Sequence, residues 1–182
     1  LKLAMNRSDE ISLRRIVNYP ARGIGDTSLE RLSTHAHAKG WTLWQTIERL
    51  DAIDEIPTGA RAGCKALERI MVDLRRRLLI ERVPPSAATR SLCEDIGLRA
   101  ELDSSSGSTS VSGRRWSNVE GLLATLKKRE TAGKIGDERA LAAFIHALTL
   151  NSDQETEEPG NTVTLSTLHG SKGLEFDHVF LL

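Results

Sequence analysis

The sequence predicts a mainly α fold, an all-α helical domain followed by two short β-strands. Three observations predict it. Apolar residues recur at helical spacing before residue 150, most clearly Leu67, Ile70, Met71, Leu74 and Leu78 at i, i+3, i+4, i+7 and i+11. Prolines and glycines fall between these stretches, where helices start and stop. Beyond residue 150 the character changes to an acidic run containing Pro159 and Gly160, and then to the β-branched alternation of TVTLSTLH.

In chain order, residues 8–18 form the first expected helix, with Ser8 as cap, Ile11, Ile16 and Val17 apolar, and a stop at Tyr19 imposed by Pro20. The stretch PARGIGDTSLERL, Pro20 to Leu32, sets two glycines around Ile24 directly before a second helix, 27–39. Leu29, Leu32 and Ala36 share one face of that helix, and Gly40 supplies a left-handed stop. Thr42 and Gln45 have the spacing of a capping box and open a helix that turns Trp44, Ile47 and Leu50 inward. A long amphipathic helix covers 60–82, Pro84-Pro85 breaks it, and a further helix runs to Gly97. DSSSGSTSVSG, 103–113, reads as a low-complexity flexible loop. Helices resume with Trp116, Val119, Leu122, Leu123 and Leu126, and again with Leu141, Phe144, Ile145 and Leu148. NSDQETEEPGN, 151–161, is expected to be an acidic linker, and TVTLSTLH and DHVFLL to be strands. Leu1 stands where an initiator Met would, and DHVFLL stops inside an apolar run, so the chain is expected to be a piece of a larger protein.

The formal charge is zero, from 25 Lys+Arg against 25 Asp+Glu, so whole-chain electrostatics select neither nucleic acid nor membrane. Local patches must carry any such argument. Between Arg61 and Arg82 the cations Arg61, Lys65, Arg69, Arg75, Arg76, Arg77 and Arg82 face only Glu68, Asp73 and Glu81, which makes Arg75 to Arg77 a candidate DNA contact or a merely solvated face. No apolar run approaches the roughly 20 residues of a membrane span. Cys64 and Cys93 lack CxxC spacing or a histidine pairing and read as reduced thiols of a cytosolic protein.

Two stretches carry chemistry. In TLSTLHGSKGLEF, Thr164 to Phe176, a strand enters a tight loop where Gly170 and Gly173 free the backbone around Lys172. The Lys172 ammonium can meet phosphate, while Thr167 and His169 can donate hydrogen bonds from the strand end, the usual ligand position of α/β proteins. The phosphate loop G-x-x-x-x-G-K-[ST] occurs nowhere in the chain. An ordinary strand-to-strand turn fits the same spacing. In the other stretch, Gly23 and Gly25 form either a plain helix-entry turn or a backbone that a ligand must approach closely. Asp26 favours the plain turn, because a carboxylate at the N-cap would satisfy the N–H groups that a phosphate would use.

VTLSTLHGSKGLEFDHVFLL closely resembles motif V of the UvrD/Rep/PcrA-like superfamily 1 DNA helicases, and LRRIVNYPARGIGDTSLERL followed by WTLWQ resembles the start of their subdomain 2B. WSNVEGLLATL is a fainter echo, and Gly170 departs from the Ala or Ser usual in relatives. The resemblance implies four parts: a helix from the end of motor subdomain 2A (1–20), helical subdomain 2B (21–150), the acidic linker (151–161), and a return into the RecA-like α/β subdomain 2A with motif V (162–182). It implies a fragment of an ATP-dependent 3′ to 5′ DNA helicase of repair or replication, with ATP and magnesium used by the parent. The fragment itself lacks the Walker motifs and is expected to bind no cofactor and to be inactive alone. Position by position, the resemblance implies duplex contacts at Arg22, Gly23, Gly25, Thr27 and Ser28, single-stranded DNA contacts at Thr167 and His169, and nucleotide contacts at Lys172 and Glu175. His35, His37, His146 and His178 match nothing and are expected at the surface or in packing. Alternatives within reach of the same residues are a non-catalytic platform for partner proteins or autoinhibition, and the helicase part of a RecB/AddA-like helicase-nuclease.

Overall fold

Asp9 rather than Ser8 opens the first substantial helix: its carboxylate accepts from the Ser12 backbone N–H at 3.0 Å and from Ser12 Oγ at 2.6 Å. These bonds to the charged form hold the Asp9 carboxyl below its ordinary pKa. The computed structural model describes residues 1–150 and, beyond them, 166, 167, 171, 172, 176 and 178–180. Among the described residues the elements are α1 (Lys2–Met5), α2 (Glu10–Ile16), α3 (Asp26–Lys39), α4 (Leu43–Glu48), a 3₁₀ turn (Leu50–Ala52), α5 (Thr58–Arg75) continued by a π-helical turn (Arg76–Ile80), α6 (Pro85–Asp95), α7 (Leu98–Ser105), α8 (Thr109–Thr131) and α9 (Glu138–Leu150). The expected linker and most of both expected strands lie outside the described residues. Ser166, Thr167, Phe176 and residues 178–180 are described and carry no strand.

Local chemistry sets the boundaries. Gly40 takes φ 65° at the end of α3, and the Thr42–Gln45 capping box forms in both directions before α4. Gly25, not Asp26, is the N-cap of α3, and Asp26 is its first helical residue. The expected serine-rich loop is mostly helix: α7 extends to Ser105, and Ser108 caps α8 by accepting from the Val111 N–H. Serine is a weak helix breaker and a strong cap, so a serine run ahead of an apolar pattern supplies a helix start as readily as a loop.

Along α5 and its π-helical continuation, Ala60, Cys64, Leu67, Met71, Leu74 and Leu78 form one buried stripe. It meets Leu3 and Ala4 of α1, Leu43, Trp44 and Ile47 of α4, and Phe144 and Ile145 of α9 in a single core that also takes in Leu13, Val17, Ile24 and Leu32. Fully burying side chains of this size stabilises by about 1.5–3 kcal/mol each. Around it α6, α7 and α8 pack on one another. Helix α6 has no cap of its own; Glu130 on α8 supplies one, accepting from the Ser86 N–H at 2.5 Å and from Ser86 Oγ at 2.7 Å. No helix among the described residues is long and apolar enough to cross a membrane.

Candidate nucleic-acid interface

The turn between α2 and α3 is built from three fixed points. Asn18 Oδ1 accepts from the N–H groups of Arg22 at 2.8 Å and Ile24 at 3.2 Å, folding the chain back on itself. Ile24 is 2% exposed and anchors the turn in the core. On α5, Gly63 leaves room for the Arg22 carbonyl, because a Cβ there would stand 2.1 Å from that oxygen. Sequence reasoning named neither Asn18 nor Gly63 here; a glycine inside the strongest amphipathic helix was the available signal, since it costs helix stability unless a neighbouring backbone needs the space.

Within the turn the two glycines differ. Gly23 has φ 73°, the left-handed region where a side chain is strained. Gly25 has φ −74° and ψ 169°, open to any residue, and a Cβ there would meet nothing within 4 Å. Among the described residues, the backbone N–H groups of Gly25, Asp26 and Thr27 have no acceptor and no side chain caps α3. Gly23, Gly25 and Thr27 are exposed, whereas Ser28 is only 8% exposed and sits beneath that surface.

Arg22 is half-buried beside the turn. Its guanidinium turns inward, and Nη1 donates to the carbonyls of Ile16 at 2.8 Å, Tyr19 at 3.0 Å and Pro20 at 3.2 Å, with Val17 at 3.4 Å. Burial pushes its pKa below the usual arginine value.

The basic run Arg75 to Arg77, at the end of α5 and in its π-helical continuation, is likewise paired within the chain. Arg75 donates to the Ala4 carbonyl at 2.5 Å and lies near Glu138, Arg76 pairs with Asp73 and Glu81, and Arg77 pairs with Asp73 at 2.7 Å and Asp95 at 3.4 Å. His37, His146 and His178 are exposed, and His35 packs its ring 5.9 Å from that of Trp41.

Of the motif V candidates, Thr167 and Lys172 are described, both exposed, with the Ser171 N–H donating to the Thr167 carbonyl at 3.0 Å and Lys172 in a turn. His169 and Glu175 lie outside the described residues. The exposed Lys172 ammonium suits a phosphate by charge; among the described residues no cluster of three or more His, Cys, Asp or Glu could hold a metal ion.

Comparison with known proteins decides the family. The UvrD-like helicase C-terminal domain matches residues 64–182. The chain belongs to this UvrD-like helicase family. It is 31% identical over 191 residues to the ATP-dependent DNA helicase PcrA of Bacillus subtilis, covering 100% of this chain and 24% of that protein. Against DNA helicase II of Escherichia coli K12 it is 32% identical over 185 residues, covering 100% of this chain and 25% of the relative. PcrA of Staphylococcus epidermidis is 29% identical over 182 residues, again across 100% of this chain and 24% of the relative. The UvrD-like chain therefore spans about a quarter of the length of these relatives.

Proposed function

We propose that this chain is the helical 2B subdomain and motif V end of an ATP-dependent 3′ to 5′ DNA helicase, and that the Gly23–Gly25 turn grips duplex DNA through its backbone. One observation carries the duplex reading: Gly25 is a glycine that neither its dihedrals nor its surroundings require. Space in front of it, with the unused N–H groups of Gly25, Asp26 and Thr27 behind, suits close approach of a phosphate. A plain N-cap would serve as well with Ser, Asp or Asn, which are favoured there over glycine.

In this reading ATP and magnesium act in the parent, with Lys172 and Glu175 on the nucleotide and Thr167 and His169 on single-stranded DNA. The ATPase apparatus lies elsewhere in that parent, since this chain has no phosphate loop.

The test is duplex titration of the chain and its Gly25→Val variant at several salt concentrations. Wild type is expected to bind several duplex sequences weakly, with affinity falling as salt rises. Gly25→Val is expected to stay folded and lose most of that binding. Equal binding by the two proteins would leave the turn a plain helix entry.

A further inference from the structure

Arg22 is the cation nearest the proposed duplex contact in sequence, yet its Nη1 is taken up by main-chain carbonyls of its own chain. The four carbonyls around its Nη1 belong to Ile16 and Val17, at the C-terminal end of α2, and to Tyr19 and Pro20 in the turn itself. Carbonyls at a helix end lack intrahelical donors, and a cation there also meets the negative end of the helix dipole. The side chain thus closes α2 while the main chain of the same residue is held twice more, its N–H by Asn18 Oδ1 at 2.8 Å and its carbonyl in the space left by Gly63. Gly23, the next residue, reverses the chain at φ 73°. Residue 22 is therefore the fixed post from which the exposed N–H groups of Gly25, Asp26 and Thr27 are aimed.

We infer that Arg22 is a positioning residue of the duplex contact, clamping α2 to the glycine turn, and is not one of the groups that neutralise phosphate. This rests on the reading of the turn as a duplex contact. The two roles differ in a measurable way. Each phosphate neutralised by a side-chain cation adds about 0.9 to the slope of log affinity against log salt. A clamp changes affinity and leaves that slope alone.

The experiment titrates duplex DNA over a salt series with the 182-residue chain, Arg22→Gln and Arg22→Lys, alongside amide hydrogen exchange. Arg22→Gln is expected to weaken binding several-fold at every salt concentration with an unchanged slope, and to speed exchange at Ile24 to Thr27 while α5 and α8 stay protected. Arg22→Lys, which keeps a donor and a charge, is expected to recover part of both effects and serves in place of Arg22→Gln should the latter unfold. A slope reduced by about 0.9 in Arg22→Gln, with exchange in the turn unchanged, would overturn the inference and make Arg22 a phosphate ligand. Binding by Arg22→Gln equal to wild type would overturn it too. Failure of the wild-type chain to bind duplex at all would instead remove the underlying reading of the turn, an outcome separate from either of these.

Discussion

The carbonyl oxygen of Arg22 lies 2.1 Å from the point where a Cβ on Gly63 would stand. Helix α5 and the glycine turn therefore touch backbone to backbone, and the contact exists only because position 63 has no side chain. On helix propensity alone Gly63→Ala would stabilise α5 by about 1 kcal/mol. Here the added methyl meets a main-chain oxygen and the Ile24 side chain at 3.1 Å, so overpacking of about 1–3 kcal/mol is expected to win. Urea unfolding should show a less stable variant, and duplex titration a weaker binder, because the turn must lift off α5. A stabilised Gly63→Ala with unchanged binding would contradict both.

The same contact shows how far the sequence could be read. Periodicity found the stripe on α5 and the faces of α3, α4, α8 and α9, because a helix that buries one face must repeat apolar residues every three to four positions. Capping chemistry found Gly40 and the Thr42–Gln45 box. Long-range partners were not legible: the Arg22 carbonyl seated against Gly63, Glu130 capping a helix 44 residues earlier, and Arg75 reaching back to Ala4 depend on where distant helices meet. Low complexity misled at 103–113, where serines cap and fill helices. The motif V candidates were legible only as a family signature, and His169 and Glu175 lie outside the described residues.

Glu130 gives a second stability test. Its carboxylate is the only side-chain acceptor at the start of α6 among the described residues, taking both the N–H and the hydroxyl of Ser86. Glu130→Ala leaves these donors unpaired in a half-buried site, a loss of about 1–3 kcal/mol. Glu130→Gln keeps one oxygen acceptor and is expected to lose less. Thermal unfolding of both variants checks the order; an Ala variant as stable as wild type would show that water replaces the cap without cost.

Cys64 sets a pH limit. The side chain is 0% exposed, and burial pushes its thiol up to about 11. An unfolded thiol titrates near 8.5. The sign follows from proton counting: below about pH 8.5 both states hold the proton and the contribution is complete, whereas between that value and 11 the unfolded chain releases its proton first, so stability falls as pH rises. Between pH 8 and pH 10 the loss is expected to reach about 2 kcal/mol. Urea unfolding of wild type and Cys64→Ala at both values isolates it, because other titrations are common to the two proteins. Parallel pH slopes would mean that the thiolate finds solvent in the folded state.

The last prediction concerns Glu175 in a full-length parent, where the motif V reading proposes that its carboxylate accepts a hydrogen bond from the ribose hydroxyl of bound nucleotide. Removing an anionic acceptor from a hydroxyl costs about 1–3 kcal/mol, or roughly ten- to a hundredfold in affinity. Glu175→Ala is therefore expected to weaken ATP binding by that factor and to slow unwinding most at low ATP. Glu175→Gln retains the shape and a neutral acceptor, so its loss should be smaller. Single-stranded DNA affinity without nucleotide should barely change, because the DNA contacts are assigned to Thr167 and His169. Measuring ATP affinity, unwinding rate and DNA affinity for both variants separates the roles. Normal unwinding by Glu175→Ala at low ATP would remove the residue from the nucleotide site. Loss of DNA binding in the absence of nucleotide would move it to the strand path, since a ribose contact can affect DNA only once nucleotide is present.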